Sequence, residues 1–199
     1  MFYSPEQGHP LPFDPFKALV SPRPIAWIST VDANGAFNLA PYSFFNAVAG
    51  NPPQVMFASG GAPREGGQKD TVRNIRETGA FVINLVTWEL RNQMLKTAED
   101  IPHGESEFDS AGLRPCPSER VLPPGVLECP VRLECRKTQM VELLSENPER
   151  PNVAVFGEVV GVYIEDRMLQ EGKVDAGRLD LIARMGYQDY TRITETFTL

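Results

Sequence analysis

The sequence predicts a mainly β fold, an antiparallel barrel with a few short α-helices. Three observations lead to this fold class. Short runs of β-branched and aromatic residues outnumber the helical patterns, they do not alternate with helices, and turn-forming residues bound several of them. A parallel sheet would need a crossover, usually a helix, between successive strands. The pattern therefore favours an antiparallel barrel over a doubly wound parallel sheet.

Bulk properties limit the possible functions. The 199 residues suit one domain spanning 1–199, and a net charge of −7 without a Lys/Arg-rich run argues against nucleic-acid binding. No apolar stretch reaches about 18 residues and no signal peptide is evident, so we expect a cytoplasmic protein that does not enter a membrane. The three cysteines, Cys116, Cys129 and Cys135, lack C-x-x-C spacing and predict neither a metal site nor a disulfide framework.

The N-terminal half begins with a proline-rich strap over residues 1–22, where repeated prolines remove backbone donors. Residues 24–31 then form a β-like run, and Asp32-Ala33-Asn34-Gly35 offers a compact turn with a glycine available for positive φ. A hairpin that returns through residues 36–40 is expected. A second strand is predicted over residues 54–58.

A helix followed by a strand is predicted next. Asp70 can cap a helix over residues 70–79, with Gly79 ending it, and residues 80–86 are typical of a strand. Thr87 can cap a further helix, in which Leu90, Met94 and Ala98 fall on one face.

The rest of the chain combines a long loop with two long strands. Residues 99–130 lack periodicity and contain six prolines, which predicts a long surface excursion. Residues 131–144 and 152–165 are β-like, and the second run is apolar on nearly both faces. Burial on both faces suits a barrel strand that also meets a partner, so a homodimer is expected.

No familiar catalytic motif is present. The sequence contains no dinucleotide-binding or P-loop glycine pattern, no nucleophile elbow and no zinc-protease motif, and His9 and His103 are its only histidines. Residues 38–46, with Pro41 at the centre, break strand alternation and would leave backbone groups free for the edge of a heteroaromatic ring. Trp27, Tyr42 or Phe44 could contact the face of such a ring. The alternative is a strand end whose aromatic residues enter the core.

A second candidate segment suits a phosphate. The N-terminus of the predicted helix offers free N–H groups, and Lys69 with the hydroxyls of Ser59 and Thr71 would complete the site. Asp70 opposes this because its carboxylate repels a phosphate unless it turns away. An ordinary capped helix remains the alternative.

A third candidate segment lies at residues 183–190. Arg184 could pair with a phosphate or a substrate carboxamide, and Tyr187 or Tyr190 could stack on a ring. A surface loop with a packed tyrosine would give the same pattern.

Four blocks together resemble the flavin reductase-like, FMN-binding split-barrel family, on the branch that includes flavoredoxin. They are RPIAWISTVDANGAFNLAPYSFFNAVAGNPP at 23–53, KDTVRNIRETGAFVINLV at 69–86, SEFDSAGL at 106–113 and ARMGYQDY at 183–190. The resemblance implies a Greek-key split β-barrel, usually a homodimer, with FMN bound non-covalently near the subunit interface.

The resemblance also implies the residues that contact the cofactor. The isoalloxazine ring would lie against Trp27, Ile28, Ser29, Thr30, Ala40, Pro41, Tyr42, Ser43 and Phe44. The phosphate would be held by Ser59, Lys69, the Asp70 backbone and Thr71, with Asn74 nearby. Arg184 and Tyr190 would lie near the flavin or the nicotinamide. Some relatives that reduce diffusible flavin carry a histidine near this C-terminal position, and this segment has none.

The implied activity is NAD(P)H:flavin oxidoreduction. Hydride would move from nicotinamide C4 to flavin N5, so no protein acid or base is required at the centre, and no catalytic residue is assigned. Two alternatives remain: an electron carrier of flavoredoxin type with bound FMN and a protein electron donor, and a binding module that uses the barrel for another ligand. The sequence leaves the choice between NADH and NADPH open.

Overall fold

The computed structural model describes residues 1–60, 68–99, 101 and 106–199. Within these residues the chain forms fourteen strands and five short helices. The strands are β1 (Arg23–Pro24), β2 (Ala26–Val31), β3 (Phe37–Tyr42), β4 (Phe45–Gly50), β5 (Pro53–Ser59), β6 (Ala80–Leu85), β7 (Pro115–Cys116), β8 (Gly125–Val126), β9 (Val131–Leu143), β10 (Asn152–Ile164), β11 (Leu169–Gln170), β12 (Lys173–Val174), β13 (Ile182–Arg184) and β14 (Tyr190–Arg192). The helices are α1 (Phe16–Leu19), α2 (Asp70–Thr78), α3 (Arg91–Lys96), α4 (Glu107–Ala111) and α5 (Ala176–Leu179), and the 3₁₀ turns are Pro5–Gln7 and Asp166–Met168.

Seven strands form the main sheet, in the order β3-β2-β6-β9-β10-β5-β4, and every pairing is antiparallel. A smaller sheet of β1, β13 and β14 lies beside it, and β7–β8 and β11–β12 form two-stranded ribbons. The predicted fold class, a mainly β Greek-key split barrel with a few short helices, is confirmed.

The connection between β3 and β4 shows why this sheet is curved. These strands are the two edges of the sheet, yet only Ser43 and Phe44 join them. Three Cα–Cα steps span at most about 11 Å, whereas the edges of a flat seven-stranded sheet would lie about 29 Å apart. The sheet therefore curls until its edges meet at this corner. The edges are not hydrogen-bonded to each other as strands, which leaves the barrel split.

The predicted hairpin and the two long strands are confirmed. In the β2–β3 turn, Oδ1 of Asp32 accepts hydrogen bonds from the N–H groups of Asn34 and Ala36, both at 2.8 Å, and Gly35 has a φ of 91°. That φ favours glycine because other residues are strained there. β9 and β10 pair along their lengths with two register shifts. β10 is buried in its first half, but Val162 in its second half is 58% exposed.

Residues on opposite faces of β2 enter two separate cores. Ala26 and Ile28 face the barrel interior, where they join a cluster that includes Phe57 and Phe81. Trp27 faces the other way, into a second cluster with residues of α3, α4 and the following loop. The main sheet is therefore covered at β2 on both faces, which accounts for the complete burial of this strand.

Three local predictions are wrong. Lys69, not Asp70, is the N-cap of α2, and Asp70 lies in its first turn. Thr87 does not cap α3, whose N-cap is Leu90, because Thr87 forms a β-bridge with Leu181 instead. β3 does not break at Pro41 but continues to Tyr42. The strand tolerates this proline because β3 is an edge strand, where no ladder donor is needed on the open side.

Part of the segment expected to be a surface excursion contributes to the core. Phe108 on α4, Leu113, Val126 on β8 and Cys129 are all buried in the second cluster. The excursion at 99–130 thus covers the outer face of β2 rather than lying wholly at the surface, and its residues 100 and 102–105, which include His103, lie outside the described residues. All three cysteines are free thiols. None of the helices in the described ranges is long and apolar enough to span a bilayer.

Candidate functional site

The helix α2 is held on the barrel by its apolar face. Val72 and Ile75 are buried in the barrel core, and Gly79 ends the helix in the left-handed conformation with a φ of 75°. The helix packs against β2 and β3, so its first turn lies beside the polar side chains of those strands. The fold therefore places the N-terminus of this helix beside Asn38 and Tyr42 of β3.

The first turn of α2 has backbone donors available for a ligand. The N–H groups of Val72 and Arg73 bond to the carbonyl of Lys69. Those of Asp70 and Thr71 have no acceptor among the described residues, as expected for the start of a helix. Two free N–H groups and the helix dipole favour an anion at this position.

Behind the first turn lies a buried set of two amides and two hydroxyls, Thr30, Asn38, Thr71 and Asn74, which we call the amide–hydroxyl network. Nδ2 of Asn38 donates to Oγ1 of Thr71 at 2.9 Å and approaches Oγ1 of Thr30 at 3.4 Å. Nδ2 of Asn74 donates to Oγ1 of Thr30 at 3.1 Å. Oδ1 of Asn74 is buried and has no hydrogen-bond partner within the described ranges. Such an orphaned acceptor is uncommon in a native core.

Tyr42, at the end of β3, joins this network to Ser59. Burial raises the pKa of Tyr42 to about 12, and hydrogen bonds with the hydroxyls of Thr71 and Ser59 oppose that rise. Its phenol therefore stays neutral at physiological pH. The ammonium of Lys69 lies 5.7 Å from the centre of the Tyr42 ring, within the range of a cation–π contact. The predicted phosphate-binding residues Ser59, Lys69 and Thr71 are thus brought together around Tyr42.

Two carboxylates border this end of the site. Asp70 forms an ion pair with Arg73 on the same helix, and among the described residues its carboxylate accepts no hydrogen bond from the N–H groups of the first turn. Glu107, at the start of α4, accepts a hydrogen bond from the N–H of Leu39 at 3.1 Å, and burial raises its pKa. The repulsion between Asp70 and a bound phosphate is therefore weakened, because Arg73 compensates the charge of Asp70.

The residues predicted to contact the isoalloxazine ring differ widely in burial. Ala40, Pro41 and Ser43 are partly exposed, Phe44 is exposed, and the carbonyl of Phe44 accepts from the N–H of Ala58 at 2.8 Å. Ile28, Ser29 and Thr30 are completely buried. Their side chains are therefore closed to solvent in this structure, and the predicted contact of Ile28, Ser29 and Thr30 with the ring stays a prediction.

Trp27 is not available to stack on a ligand. Its side chain is completely buried in the second core, and Nε1 donates to Oγ1 of Thr97 at 2.8 Å. Buried tryptophan N–H groups usually find such a partner. The alternative, that aromatic residues of this region enter the core, holds for Trp27 and also for Tyr42, which packs against Phe57 in the barrel core. Phe44 remains exposed.

Arg23 is a buried cation that sequence reasoning missed. It is 6% exposed and donates to the carbonyls of Lys17 and Val20 in the strap and to that of Met185 at 2.8 Å. Its Nε is buried without a partner among the described residues. Burial, and secondly the charge of Arg184, lower the pKa of Arg23.

Arg184 lies directly opposite Arg23 in the β1–β13 pairing, and Tyr190 lies opposite Arg184 in the β13–β14 pairing. The Arg184 guanidinium contacts the Tyr190 hydroxyl and lies 4.5 Å from the centre of its ring, and Arg23 lies 5.8 Å from the ring centre of Phe44. We call Phe44, Arg23, Arg184 and Tyr190 the arginine row. In the part of the chain that the structure describes, no carboxylate forms an ion pair with either arginine.

Nine of the sixteen predicted site residues fall into two groups. Tyr42, Ser59, Lys69, Asp70, Thr71 and Asn74 meet at the start of α2, and Phe44, Arg184 and Tyr190 meet along the arginine row. The β1–β4 contacts bring the row beside the corner at Ser43–Phe44. Asn38, Glu107 and Arg23 were not singled out, although all three lie in blocks that carry the family resemblance. Among the described residues, no group of acidic, histidine or cysteine side chains could hold a metal.

Comparison with known proteins assigns the class. The family model for the flavin reductase like domain matches residues 19–185. An uncharacterized protein of Deinococcus radiodurans is 40% identical over 190 residues, which cover 92% of this chain and 81% of that protein. The chain therefore belongs to the flavin reductase-like family.

Two crystal structures extend this finding. Component B of nitrilotriacetate monooxygenase from Bacillus cereus is 31% identical with a TM-score of 0.90, over 100% of this chain and 98% of that one. The 2-nitrobenzoate 2-nitroreductase NbaA from Pseudomonas fluorescens is 28% identical with a TM-score of 0.80, over 92% and 87%. The described architecture is thus shared along nearly the whole chain.

Proposed function

We propose that this protein binds FMN and passes electrons from NAD(P)H to flavin. The observation that carries the proposal is the meeting of free helix N–H groups, Lys69, Ser59 and Thr71 at the start of α2. This donor set suits a phosphate, because it combines a cation, hydroxyls and backbone N–H groups with a helix dipole. Membership of the flavin reductase-like family supports FMN as the phosphorylated ligand.

The residues at the start of α2 would hold the phosphate of FMN. Lys69 would supply positive charge, and the hydroxyls of Ser59 and Thr71 would donate hydrogen bonds beside the N–H groups of Asp70 and Thr71. Charge-assisted hydrogen bonds contribute about 1.5 to 3 kcal/mol each. Two or three of them would provide much of the about 8 kcal/mol of a micromolar affinity. The neutral phenol of Tyr42 adds no charge that would repel the ligand.

The exposed corner at Ser43–Phe44 would provide the surface for the ring, between the start of α2 and the arginine row. When bound, FMN would supply the redox chemistry, by accepting a hydride from the nicotinamide. The protein's own residues would bind and orient the two ligands at a short distance, which is a large part of the catalysis of such a transfer. Arg184, with Arg23 opposite it on the neighbouring strand, would attract the anionic nicotinamide nucleotide, and Tyr190 would pack against that nucleotide.

We propose further that two copies of the chain associate. β4 is an edge strand of the main sheet, and its residues after Phe45 are exposed, including Val48. The second half of β10 also exposes Val162 and Tyr163. Exposed edge strands and apolar strand faces are usually covered in native proteins, and a second copy would cover both. Light scattering after size exclusion tests this directly, since a monomer at micromolar concentration would contradict it.

An absorbance spectrum from 300 to 600 nm tests the proposed function. The purified protein, loaded with FMN, is measured anaerobically before and after addition of NADH and then NADPH. We expect flavin bands that bleach with at least one of the two nucleotides. Bands that persist with both would favour an electron carrier supplied by a protein donor. A protein that shows no flavin bands even after FMN addition would contradict the cofactor assignment and favour a binding module for another ligand.

A further inference from the structure

We propose that Asn38 is a positioning residue for the phosphate of the ligand, and that it acts by fixing the direction in which the Thr71 hydroxyl donates its proton. The inference rests on the proposed function, because it concerns how the same site recognises a phosphate. It adds a residue that does not itself touch the ligand. Asn38 and Thr71 are separated by 33 positions in the chain, and the packing of α2 on β3 brings them together.

The direction of the hydrogen bond carries the inference. Nδ2 of Asn38 donates to Oγ1 of Thr71, so the hydroxyl oxygen is the acceptor in this contact. A hydroxyl has one proton and two lone pairs. Because Asn38 occupies one lone pair, the Thr71 proton points away from Asn38. The Tyr42 hydroxyl is one acceptor for this proton, and a phosphate bound at the free N–H groups of Asp70 and Thr71 would be another.

The Asn38 amide is itself held in place. It is nine-tenths buried between β3 and α2, and its Nδ2 group also approaches Oγ1 of Thr30, which accepts a second hydrogen bond from Asn74. A buried amide whose Nδ2 group contacts both hydroxyls keeps its donor directed at Thr71 before a ligand binds. Preorganised donors lose little entropy on binding, so the effect should appear in affinity.

The alternative is that Asn38 merely fills the space between α2 and the sheet. Such a structural residue would affect all ligands of the site alike, because its loss would move the helix as a whole. A positioning residue that acts through Thr71 has a narrower effect. It should change the affinity for FMN, which has a phosphate, and leave riboflavin, which has none, nearly unchanged.

A double-mutant cycle separates the two roles. FMN and riboflavin affinities are measured by isothermal titration for the wild type, Asn38→Ala, Thr71→Val and the variant carrying both substitutions. We expect Asn38→Ala to weaken FMN about tenfold, as for the loss of one hydrogen bond to a charged group, and to weaken riboflavin less than about twofold. In the Thr71→Val background the Asn38→Ala substitution should change FMN affinity by less than about twofold, because the hydroxyl is already absent.

Two further variants keep the test decisive. Asn84→Ala removes another completely buried amide of the barrel, whose partners are the Trp27 carbonyl, Ser29 and the Val126 N–H, away from α2. It should leave the ratio of FMN to riboflavin affinity unchanged. Asn38→Asp keeps the side-chain shape but replaces the donor by an acceptor, which would capture the Thr71 proton. It should therefore weaken FMN at least as much as Asn38→Ala, and it serves as the test if Asn38→Ala does not fold.

The outcomes also separate this inference from the proposed function. Wild-type protein that binds neither flavin would contradict both. Wild-type protein that prefers FMN, combined with an Asn38→Ala variant that loses FMN and riboflavin equally, would overturn only the role of Asn38. The same conclusion would follow if the full effect of Asn38→Ala persisted in the Thr71→Val background.

Discussion

The two ends of the candidate site, the start of α2 and the arginine row, consist of chemically different side chains. At the start of α2 the amide–hydroxyl network is neutral, and its side chains bond mainly to one another. Along the arginine row two guanidinium groups face each other across β1 and β13, and they bond to backbone carbonyls and to tyrosine rather than to carboxylates. The start of α2 adds directed hydrogen bonds to the single charge of Lys69, whereas the arginine row offers two guanidinium charges.

The difference indicates two kinds of ligand group. Directed hydroxyl and N–H donors recognise a phosphate in a fixed position, whereas a pair of arginines attracts anionic groups over a broader area. The arginine row also depends on the N-terminal strap, because Arg23 bonds to the carbonyls of Lys17 and Val20. The start of α2 is held instead by Val72 and Ile75 in the barrel core. Changes at one end should therefore leave the other end nearly unaffected.

The largest effect is expected from removing the donors at the start of α2. Lys69→Ala combined with Thr71→Ala should weaken FMN at least about 100-fold, because two charge-assisted hydrogen bonds are lost. Riboflavin should be weakened less than about threefold, since it has no phosphate. Titration of both flavins by fluorescence quenching measures this. Equal weakening of the two flavins would show that the phosphate lies elsewhere.

Two residues at the C-terminal end of α2, one on the helix and one on β9, supply a matched control for this double substitution. Thr78 donates to the carbonyl of Asn74 at 2.8 Å, and Lys137 donates to the carbonyl of Arg76 at 3.0 Å, both near the C-terminal end of α2. Thr78→Ala with Lys137→Ala removes the same residue types from the opposite end. The ratio of FMN to riboflavin affinity should stay at its wild-type value.

The strap should be displaced by a single methyl group. A Cβ at Gly186 would lie 2.6 Å from Cα of Ala18, so Gly186→Ala forces α1 away from the β13–β14 turn. Overpacking of this kind costs about 1 to 3 kcal/mol. We expect lower stability in urea, faster proteolysis within residues 14–20, and weaker nicotinamide binding. The ratio of FMN to riboflavin affinity should not change.

Gly50→Ala is the control for that substitution. Gly50 lies on exposed β4 without a positive φ, and a methyl group added there would meet no other atom within 4 Å. The strap of this variant should resist proteolysis as in the wild type. If Gly186→Ala behaved like Gly50→Ala, the strap would not depend on its close contact with Gly186.

The pH dependence of stability should reveal the buried phenol. The pKa of Tyr42 is raised to about 12, above the usual value near 10, so the unfolded chain releases this proton first. Its contribution is complete below pH 10 and is lost as pH rises toward 12. Between pH 9 and pH 11 the wild type should lose about 1 kcal/mol more than Tyr42→Phe in urea unfolding. Identical pH profiles would show that this phenol ionises freely in the folded state.

The smallest effect is expected at Asp70. Its carboxylate is 48% exposed and paired with Arg73, so it repels a nearby phosphate only weakly. Asp70→Asn should strengthen FMN binding about twofold at low salt, by a fraction of a kcal/mol, and leave riboflavin unchanged. A loss of FMN affinity would indicate that the Asp70–Arg73 pair itself supports the site.

Local patterns in the sequence were sufficient for much of the fold. The Asp32–Gly35 turn, α2 with its C-terminal Gly79, and the long strands β9 and β10 each follow from residues adjacent in the chain. The N-terminal boundary of α2 differs by one residue from the prediction, because the backbone geometry and not the capping preference of Asp70 decides where the helix begins. The break expected at Pro41 failed because a proline is harmless on the open side of an edge strand.

Contacts between distant segments could not be predicted without the family resemblance. Alternation along β2 shows that Trp27 and Ile28 face opposite sides, but it cannot tell which side holds a ligand when both sides are buried. The Asn38–Thr71 bond and the Arg23–Arg184 pairing depend on strand order and register. A single sequence does not specify these, so Asn38, Arg23 and Glu107 were found only in the structure.

The most direct test of the central claim compares FMN with riboflavin on the wild-type protein. Isothermal titration of both ligands under identical conditions isolates the contribution of the phosphate, because the two ligands share the same ring system. We predict that FMN binds at least about 100-fold more tightly, as two or more charge-assisted hydrogen bonds at the start of α2 require. Equal affinities for FMN and riboflavin would contradict the assignment of this site.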